Sequence, residues 1–528
     1  MSNGKSFQID KGVFWPPFIA LLVVVATSLI ADEAFLSMAK TAFNWVNNTF
    51  GWAFALSTLV FVVSCMILAF SPAGNIRFGG KDAKPEFSTW NWFAMSLCGG
   101  IAIGIVFWGA AEPIYHFASP PGSLGMEAFS AESAKWSMTI TFLHWTFSPY
   151  SLYVVCAIPI GLAFYNHGQP FAVSSGLYFL MGDKCHGWFG KLVDCLCLFS
   201  IACGVTVSLG WGLAQVGSGI SFLFGIPSSK FLYGICALVI VATYTVSSYT
   251  GIKRGIRILS DNNAKIFMAI MIFVFITGPT LFILDLGVES LGAYITDFFN
   301  ISLWMGAGTG EQWPHWWSLF YWAVWMAYAP IVGLFLARLV RGRTIRQFVA
   351  VNLFAPAIFG MIWFSIFGGA AIEMQLSKTF DLWASISNKG VETTVFAFLE
   401  QFPLSGLVIP VFLITVVISF VTLADSMTTC VAAMSTRGMT AENAEAPALL
   451  KITWGVVMGL LAFIMISMSG VDGVKMIGAI AGLPIMILMV ALLVSTLKRT
   501  FWPEADWRLS SDAADSVEPA HTAVVTEQ

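Results

Sequence analysis

The sequence predicts an all-α polytopic membrane protein of about twelve transmembrane helices, each needing about 20 apolar residues to cross roughly 30 Å of hydrocarbon. Composition is the first reason. Of 528 residues, 57% are hydrophobic and 10% charged, and the mean hydropathy is +0.80, more apolar surface than a water-soluble fold can hide. Segmentation is the second: apolar stretches centre on residues 13–31, 52–70, 92–117, 135–165, 193–217, 231–248, 264–285, 317–340, 350–372, 404–434, 449–469 and 475–497. Charge placement is the third. With the N-terminus in the cytoplasm, roughly 20 of the 26 basic residues fall on inner connections, as the positive-inside rule requires.

Taken in order, residues 1–12 form a cytoplasmic tail and 13–90 hold two peripheral membrane helices. The first is no cleaved signal, because Asp10 and Lys11 lead into an apolar run without a small-residue cleavage site before Asp32 and Glu33. Residues 91–285 form a first set of five helices, 286–315 an interfacial helix and loop, 316–497 a second set of five, and 498–528 a cytoplasmic tail whose polar composition predicts disorder from 503 onward. Inner loops carry Arg77, Lys81 and Lys84; Lys253, Arg254 and Arg257; Arg338, Arg341, Arg343 and Arg346; and Lys498 and Arg499; the Arg338–Arg346 loop is read as mostly topology and lipid contact, with gating as the alternative. The outer connections carry Asp285, Glu289, Asp297 and Glu311. Both termini are therefore cytoplasmic and the chain is multi-pass in the inner (plasma) membrane.

Several function classes drop out. The nine cysteines are scattered without CxxC pairs or histidines at metal spacing, so no metal or cofactor site is expected. A net charge of −3 without a basic stripe excludes nucleic acid. Neither a catalytic constellation nor an acidic filter ring points to an enzyme or a channel.

Backbone breakers locate the expected site. The third segment places Gly99, Gly100 and Gly104 mid-helix and Pro113 near its end; five segments later the eighth carries Pro330 and Gly333. Interrupted helices in corresponding positions predict an inverted five-plus-five repeat, helices 3–7 and 8–12, with a midplane site between them. The competing reading is close helix packing at small residues. Aromatic residues gather at that depth: Trp145, Tyr150 and Tyr153 around Pro149, and Trp322, Trp325 and Tyr328, of which Trp325 and Tyr328 share a helix face. A methylated onium head has no N–H to donate, so π-faces, anions and shape must recognise it; each desolvated ring supplies about 0.5–2 kcal/mol. Trp313, Trp316 and Trp317 are read as an interfacial belt, Glu112 and Asp425 as structural carboxylates, and His116 and His144 as packing histidines rather than proton relays.

PEFS at 85–88, GIAIG at 100–104, FWGAAEP at 107–113, HW at 144–145 and above all FYWAVWMAYAPIVGLFLARLVRGRTIRQF at 320–348 resemble the betaine/choline/carnitine transporter family, over about residues 13–500. The resemblance implies a LeuT-type fold with two extra N-terminal helices, a homotrimer, and transport of a small onium solute by alternating access around an aromatic box. It implies Trp145, Tyr150, Tyr153, Trp322, Trp325 and Tyr328 as box residues, with Val324 standing where a tryptophan is usual and Tyr115 where carnitine-type members place a substrate tyrosine. A substrate carboxylate would face the backbone of Gly100, Ala102 and Gly104. Ion coupling would fall to Cys98, Ile101 and Thr422; Leu423 follows Thr422 where a hydroxyl residue is common, and Asn263 replaces the arginine of sodium-independent exchangers. The implied function is import of betaine, carnitine, choline or a sulfonium analogue coupled to Na+ or H+. An exchanger, or an amino-acid or nucleobase transporter of the same fold, stays open.

Overall fold

The computed structural model describes residues 8–100, 102–250, 253–437 and 446–502, with side chains at all of these except 8, 32, 98–100, 102–103, 245–250, 253–257, 259, 468–475 and 477. Ile101 and the tail from 503 thus lie outside the described residues, and of Cys98, Gly100, Ala102, Lys253, Arg254 and Arg257 only the backbone is described.

The chain is an all-α polytopic membrane protein. Among the described residues ten helical stretches are long and apolar enough to span a bilayer. The other two segments expected from the sequence are a shorter apolar helix, Lys230–Tyr244, and the third segment, described as Thr89–Gly100, Ala102–Trp108 and Ala111–Ala118, with Ile101 outside the described residues and a turn at Gly109 and Ala110. Helices on the outside present apolar side chains to the membrane, among them Ile30, Met38, Trp52, Phe70, Phe231, Leu238 and Ile276. A two-residue antiparallel pairing, Gln8–Ile9 with Thr436–Arg437, ties the N-terminal segment to the end of the Ser405–Met434 helix, and Asp10 pairs with Arg437 at 2.8 Å beside it.

At the centre lies Ser318–Arg338, whose spanning window is wholly buried. It packs against Asp32–Phe70, Phe147–His167, Trp188–Phe224, Ser405–Met434 and the helical run Ala448–Phe501. Glycines allow this, because a side chain at each would strike a neighbouring backbone. A Cβ on Gly204 would come within 3.2 Å of Tyr328 N, one on Gly333 within 3.2 Å of Ala157 N, and one on Gly482 within 2.1 Å of Ala323 O.

Two breaks fall where proline chemistry puts them, although other helices continue through a proline, at Pro159, Pro330, Pro410 and Pro484. Pro149 cannot accommodate the carbonyl four residues back, that of Trp145, and the fourth segment divides at Thr146 into Ala131–Trp145 and Phe147–His167. Pro279 ends Lys253–Thr277, and the next helix runs Thr280–Ser302, a longer element than the interfacial helix expected from 286. Its stripe Ile283, Leu286, Ser290 and Tyr294 is buried, while Leu281, Val288 and Ile295 are exposed. The eighth segment is one of the continuous helices. Ser318–Arg338 continues through Pro330 and Gly333, so the expected interruption is not there. Proline removes only one helical hydrogen bond, neighbours enclose the helix on all sides, and Gly333 serves close packing on Cys156 and Ala157.

The arginine-rich loop after this helix differs from the expected lipid contact. Arg346 donates to the carbonyls of Ala69 (2.8 Å) and Ser71 (3.2 Å). Arg343 donates to Phe87 O at 2.6 Å and lies 4.9 Å over the Trp92 ring. Loop carbonyls left over at helix ends are satisfied in this way.

Candidate aromatic binding site

Helix geometry decides which rings of Ser318–Arg338 meet. Tyr321, Trp325 and Tyr328 stand at i, i+4 and i+7, one stripe of an α-helix. Tyr321 stacks on Trp325 with ring centroids 5.6 Å apart and planes 17° apart. Trp145, placed by the break at Thr146, meets Trp325 edge-on at 5.3 Å and Tyr321 at 5.4 Å. From the Trp188–Phe224 helix, Trp211 closes another side, 6.2 Å from Trp325 and stacked on Phe107 at 6.1 Å. One turn deeper, Tyr153 lies 6.1 Å from Tyr328 and 6.3 Å from Tyr150. All of these rings are buried.

The structure therefore brings Trp145 together with Trp325, and Tyr150 and Tyr153 with Tyr328. It places three other expected residues elsewhere. Trp322 packs on His144 at 5.9 Å. Val324 faces Gly478 and Val207, which crowd the same space. Tyr115 contacts Trp383 at 5.4 Å, Trp317 at 5.7 Å and Trp108 at 6.4 Å, and Trp108 in turn meets Trp211 at 5.8 Å. A file of rings so connects Tyr115 to Trp325. Gly104 lies directly beneath Trp145: a Cβ there would be 2.7 Å from Cζ3 and 2.8 Å from Cη2 of the indole. Asn263 donates to Ser419 Oγ at 2.8 Å, and Thr422, one turn further along that helix, donates to Ile418 O at 2.7 Å.

The indole of Trp145 is held by a residue that composition alone could not rank. Glu112, on Ala111–Ala118, is fully buried in protein. Its Oε2 accepts from Trp145 Nε1 at 2.6 Å and from Tyr321 Oη. Its Oε1 lies 2.7 Å from His144 Nδ1 and 3.3 Å from His116 Nε2. A carboxylate only accepts, so His144 donates through Nδ1–H and its Nε2 accepts from Ser318 Oγ at 2.8 Å. Two supposed belt residues belong here as well. Trp317 lies 4.4 Å and Trp313 5.0 Å from the His116 ring; of that trio Trp316 is the one half-exposed.

Four buried polar atoms around these rings have no hydrogen-bond partner among the described residues: Nε1 of Trp211, Nε1 of Trp325 and the hydroxyls of Tyr150 and Tyr153. Buried donors are rarely left unpaired, and such a cluster calls for a water or a ligand. Rings with spare donors suit a solute that carries a methylated cation at one end and an oxygen acceptor at the other.

The family profile described as "BCCT, betaine/carnitine/choline family transporter" matches residues 12–502. "Glycine betaine transporter OpuD" of Bacillus subtilis is 33% identical over 496 residues, covering 93% of this chain and 94% of the relative. "Probable glycine betaine transporter" of Desulfitobacterium hafniense is 33% identical over 502 residues, covering 94% and 99%. "Osmo-dependent choline transporter BetT2" of Acinetobacter baylyi is 30% identical over 511 residues, covering 96% and 74%.

Proposed function

Because the chain belongs to the betaine/carnitine/choline family of transporters, we propose that it imports a quaternary-ammonium solute, glycine betaine foremost, held between Trp145, Trp325, Tyr321 and Trp211, with Tyr150, Tyr153 and Tyr328 one turn deeper. It is a transporter and not an enzyme. The observation that carries the substrate class is the coincidence of stacked and edge-on indole and phenol rings with four unpaired buried donors. The rings take the methylated head and the donors take the carboxylate of betaine or carnitine, or the hydroxyl of choline.

On this reading the chain has twelve spans in a LeuT-type arrangement, two of them outside a five-plus-five core. Both termini are cytoplasmic, the membrane is the plasma membrane and the assembly is a homotrimer. Uptake is driven by a cation gradient, sodium before protons, with Thr422, Asn263 and the stretch containing Cys98 and Ile101 nearest the coupling ion. Gly100, Ala102 and Gly104 line the substrate on the broken third segment. Trp322, Val324 and Tyr115 take supporting places, the last on the file of rings leading to Trp108.

The test is ligand-induced thermal stabilisation of the purified protein across betaine, carnitine, choline and dimethylsulfoniopropionate, followed by Trp325→Leu. One ring contributes about 0.5–2 kcal/mol, so Trp325→Leu is expected to weaken the stabilising onium by about 2- to 30-fold with the protein still monodisperse. Stabilisation by neutral amino acids or nucleobases and not by any onium would refute the substrate class.

A further inference from the structure

Glu112 is a buried carboxylate whose ion-pair partners are two histidines. A carboxylate can take one proton and a neutral imidazole one more, so the charge of this cluster is set by a single proton. With Glu112 ionised and both imidazoles neutral, the cluster carries one negative charge beneath the rings of the site. One proton more makes it neutral. The structure holds a place for that proton: if His116 donates to Glu112 through Nε2–H, its Nδ1 is a bare lone pair, buried and without a partner among the described residues. Protonation at Nδ1 gives an imidazolium beside the carboxylate; protonation of Glu112 itself gives the same net charge, and the proton belongs to the group as a whole.

We propose that Glu112, His144 and His116 form a proton-binding site that opposes substrate binding, so that the onium solute and the proton displace one another. Two effects run in the same direction. The ionised carboxylate fixes Trp145 Nε1 and Tyr321 Oη by charge-assisted hydrogen bonds, roughly twice as strong as neutral ones, and these are the rings that flank Trp325. The unneutralised charge also lies one side chain away from a site for a cation, in surroundings that screen it little. Linkage makes the antagonism reciprocal: a proton that weakens substrate binding is expelled when substrate binds.

The groups facing the carboxylate come from three elements. His116 is one turn along its own helix, His144 comes from Ala131–Trp145, and Tyr321 from Ser318–Arg338. Two further elements pack on Ala111–Ala118 without bringing a charge to it: Ala355–Leu376 sets Gly368 against Pro113, and Leu382–Lys389 sets Trp383 against Tyr115.

This inference rests on the onium reading of the site, and the experiment separates the two. Glycine betaine and choline binding to the purified full-length protein is measured calorimetrically from about pH 8 down to about pH 4, which spans the ordinary histidine and glutamate values, in buffers of differing ionisation enthalpy. The dissociation constant is expected to rise toward tenfold per pH unit on the acid side, the limit for one linked proton, and binding is expected to release up to one proton. Glu112→Gln, which keeps the shape and cannot ionise, should bind more weakly at high pH, with a flat profile and no proton release. Should Glu112→Gln fail to fold, His116→Gln replaces it, and a displaced profile is the supporting result. A flat wild-type profile with onium binding intact overturns the proton site alone. So does a Glu112→Gln profile, or a His116→Gln profile, that matches the wild type. Absence of onium binding at every pH overturns the substrate reading and this proposal with it.

Discussion

Gly104→Ala tests the cage at its least conspicuous point. A methyl group there would sit 2.7 Å from Cζ3 and 2.8 Å from Cη2 of Trp145, whereas non-bonded carbons settle near 3.5–4.0 Å. The indole must give way by about 1 Å, and it is tethered at its far side by the 2.6 Å bond to Glu112. Overpacking of this kind costs about 1–3 kcal/mol. Alanine in a helix returns up to about 1 kcal/mol relative to glycine, so stability should fall only modestly. Affinity should suffer more, because displacing Trp145 forfeits a ring worth about 0.5–2 kcal/mol, about 2- to 30-fold in the dissociation constant. Scintillation-proximity binding of labelled glycine betaine reads the affinity, and the melting temperature reads the fold. The decisive arm is a double-mutant cycle with Trp145→Phe, whose ring lacks the atoms that clash. In that background Gly104→Ala should have little further effect. Undiminished affinity in Gly104→Ala, or strictly additive losses in the cycle, would show that Trp145 is no wall of the binding site.

Two further outcomes follow from the packing and from the N-terminal tether. Val324→Trp, which restores the ring usual in the family, should lower the melting temperature through overpacking of about 1–3 kcal/mol against Gly478 and Val207 without tightening betaine binding; tighter binding would mean that this position opens on the cage. The Asp10 carboxyl is held below its ordinary value of 3.8 by its hydrogen bond to Arg437. Its contribution is therefore fully present above that value and lost as pH falls through the depressed one. Melting curves taken into the acid range should show a smaller pH dependence in Asp10→Asn than in the wild type, and equal slopes would remove the pair from the account.

What the sequence discloses and what it hides divide along physical lines. Hydropathy reports length and mean apolarity, and these suffice for ten of the spans. The third segment divides, among the described residues, at Gly109 and Ala110, just ahead of Pro113, whereas Gly99, Gly100 and Gly104, the glycines that draw attention in the sequence, are helical. The eighth was not recognisable as continuous: Pro330 carries the same local penalty wherever it stands, and only the enclosing helices decide whether the helix survives it. Trp145, Trp325 and the three tyrosines could be nominated from depth and spacing. Tyr321 was equally accessible, since it stands four residues before Trp325 and seven before Tyr328, but spacing from Trp322 draws attention to the wrong stripe. Trp211, flanked by Gly210 and Gly212 in mid-segment, carried the same signal as Trp145 without an adjoining proline. Glu112 could not be ranked, because the four groups that engage it come from three separate parts of the chain.

That engagement decides how the site can recognise a cation. A carboxylate offers about four lone-pair positions, and His144, His116, Trp145 and Tyr321 each take one. Glu112 therefore has no oxygen left to lay against a methylated headgroup, and on the proposed reading an onium solute would meet the flat and edge-on faces of the rings instead. The acid acts through the positions it imposes: it holds Trp145 and Tyr321 beside Trp325, while the Trp325 and Trp211 N–H groups have no partner among the described residues. An aromatic cage built only of side-chain packing could relax as the helices around it move. One whose rings are hydrogen-bonded to a buried charge keeps its shape until that charge is neutralised, which is why the same carboxylate governs both the geometry of the cage and its response to a proton.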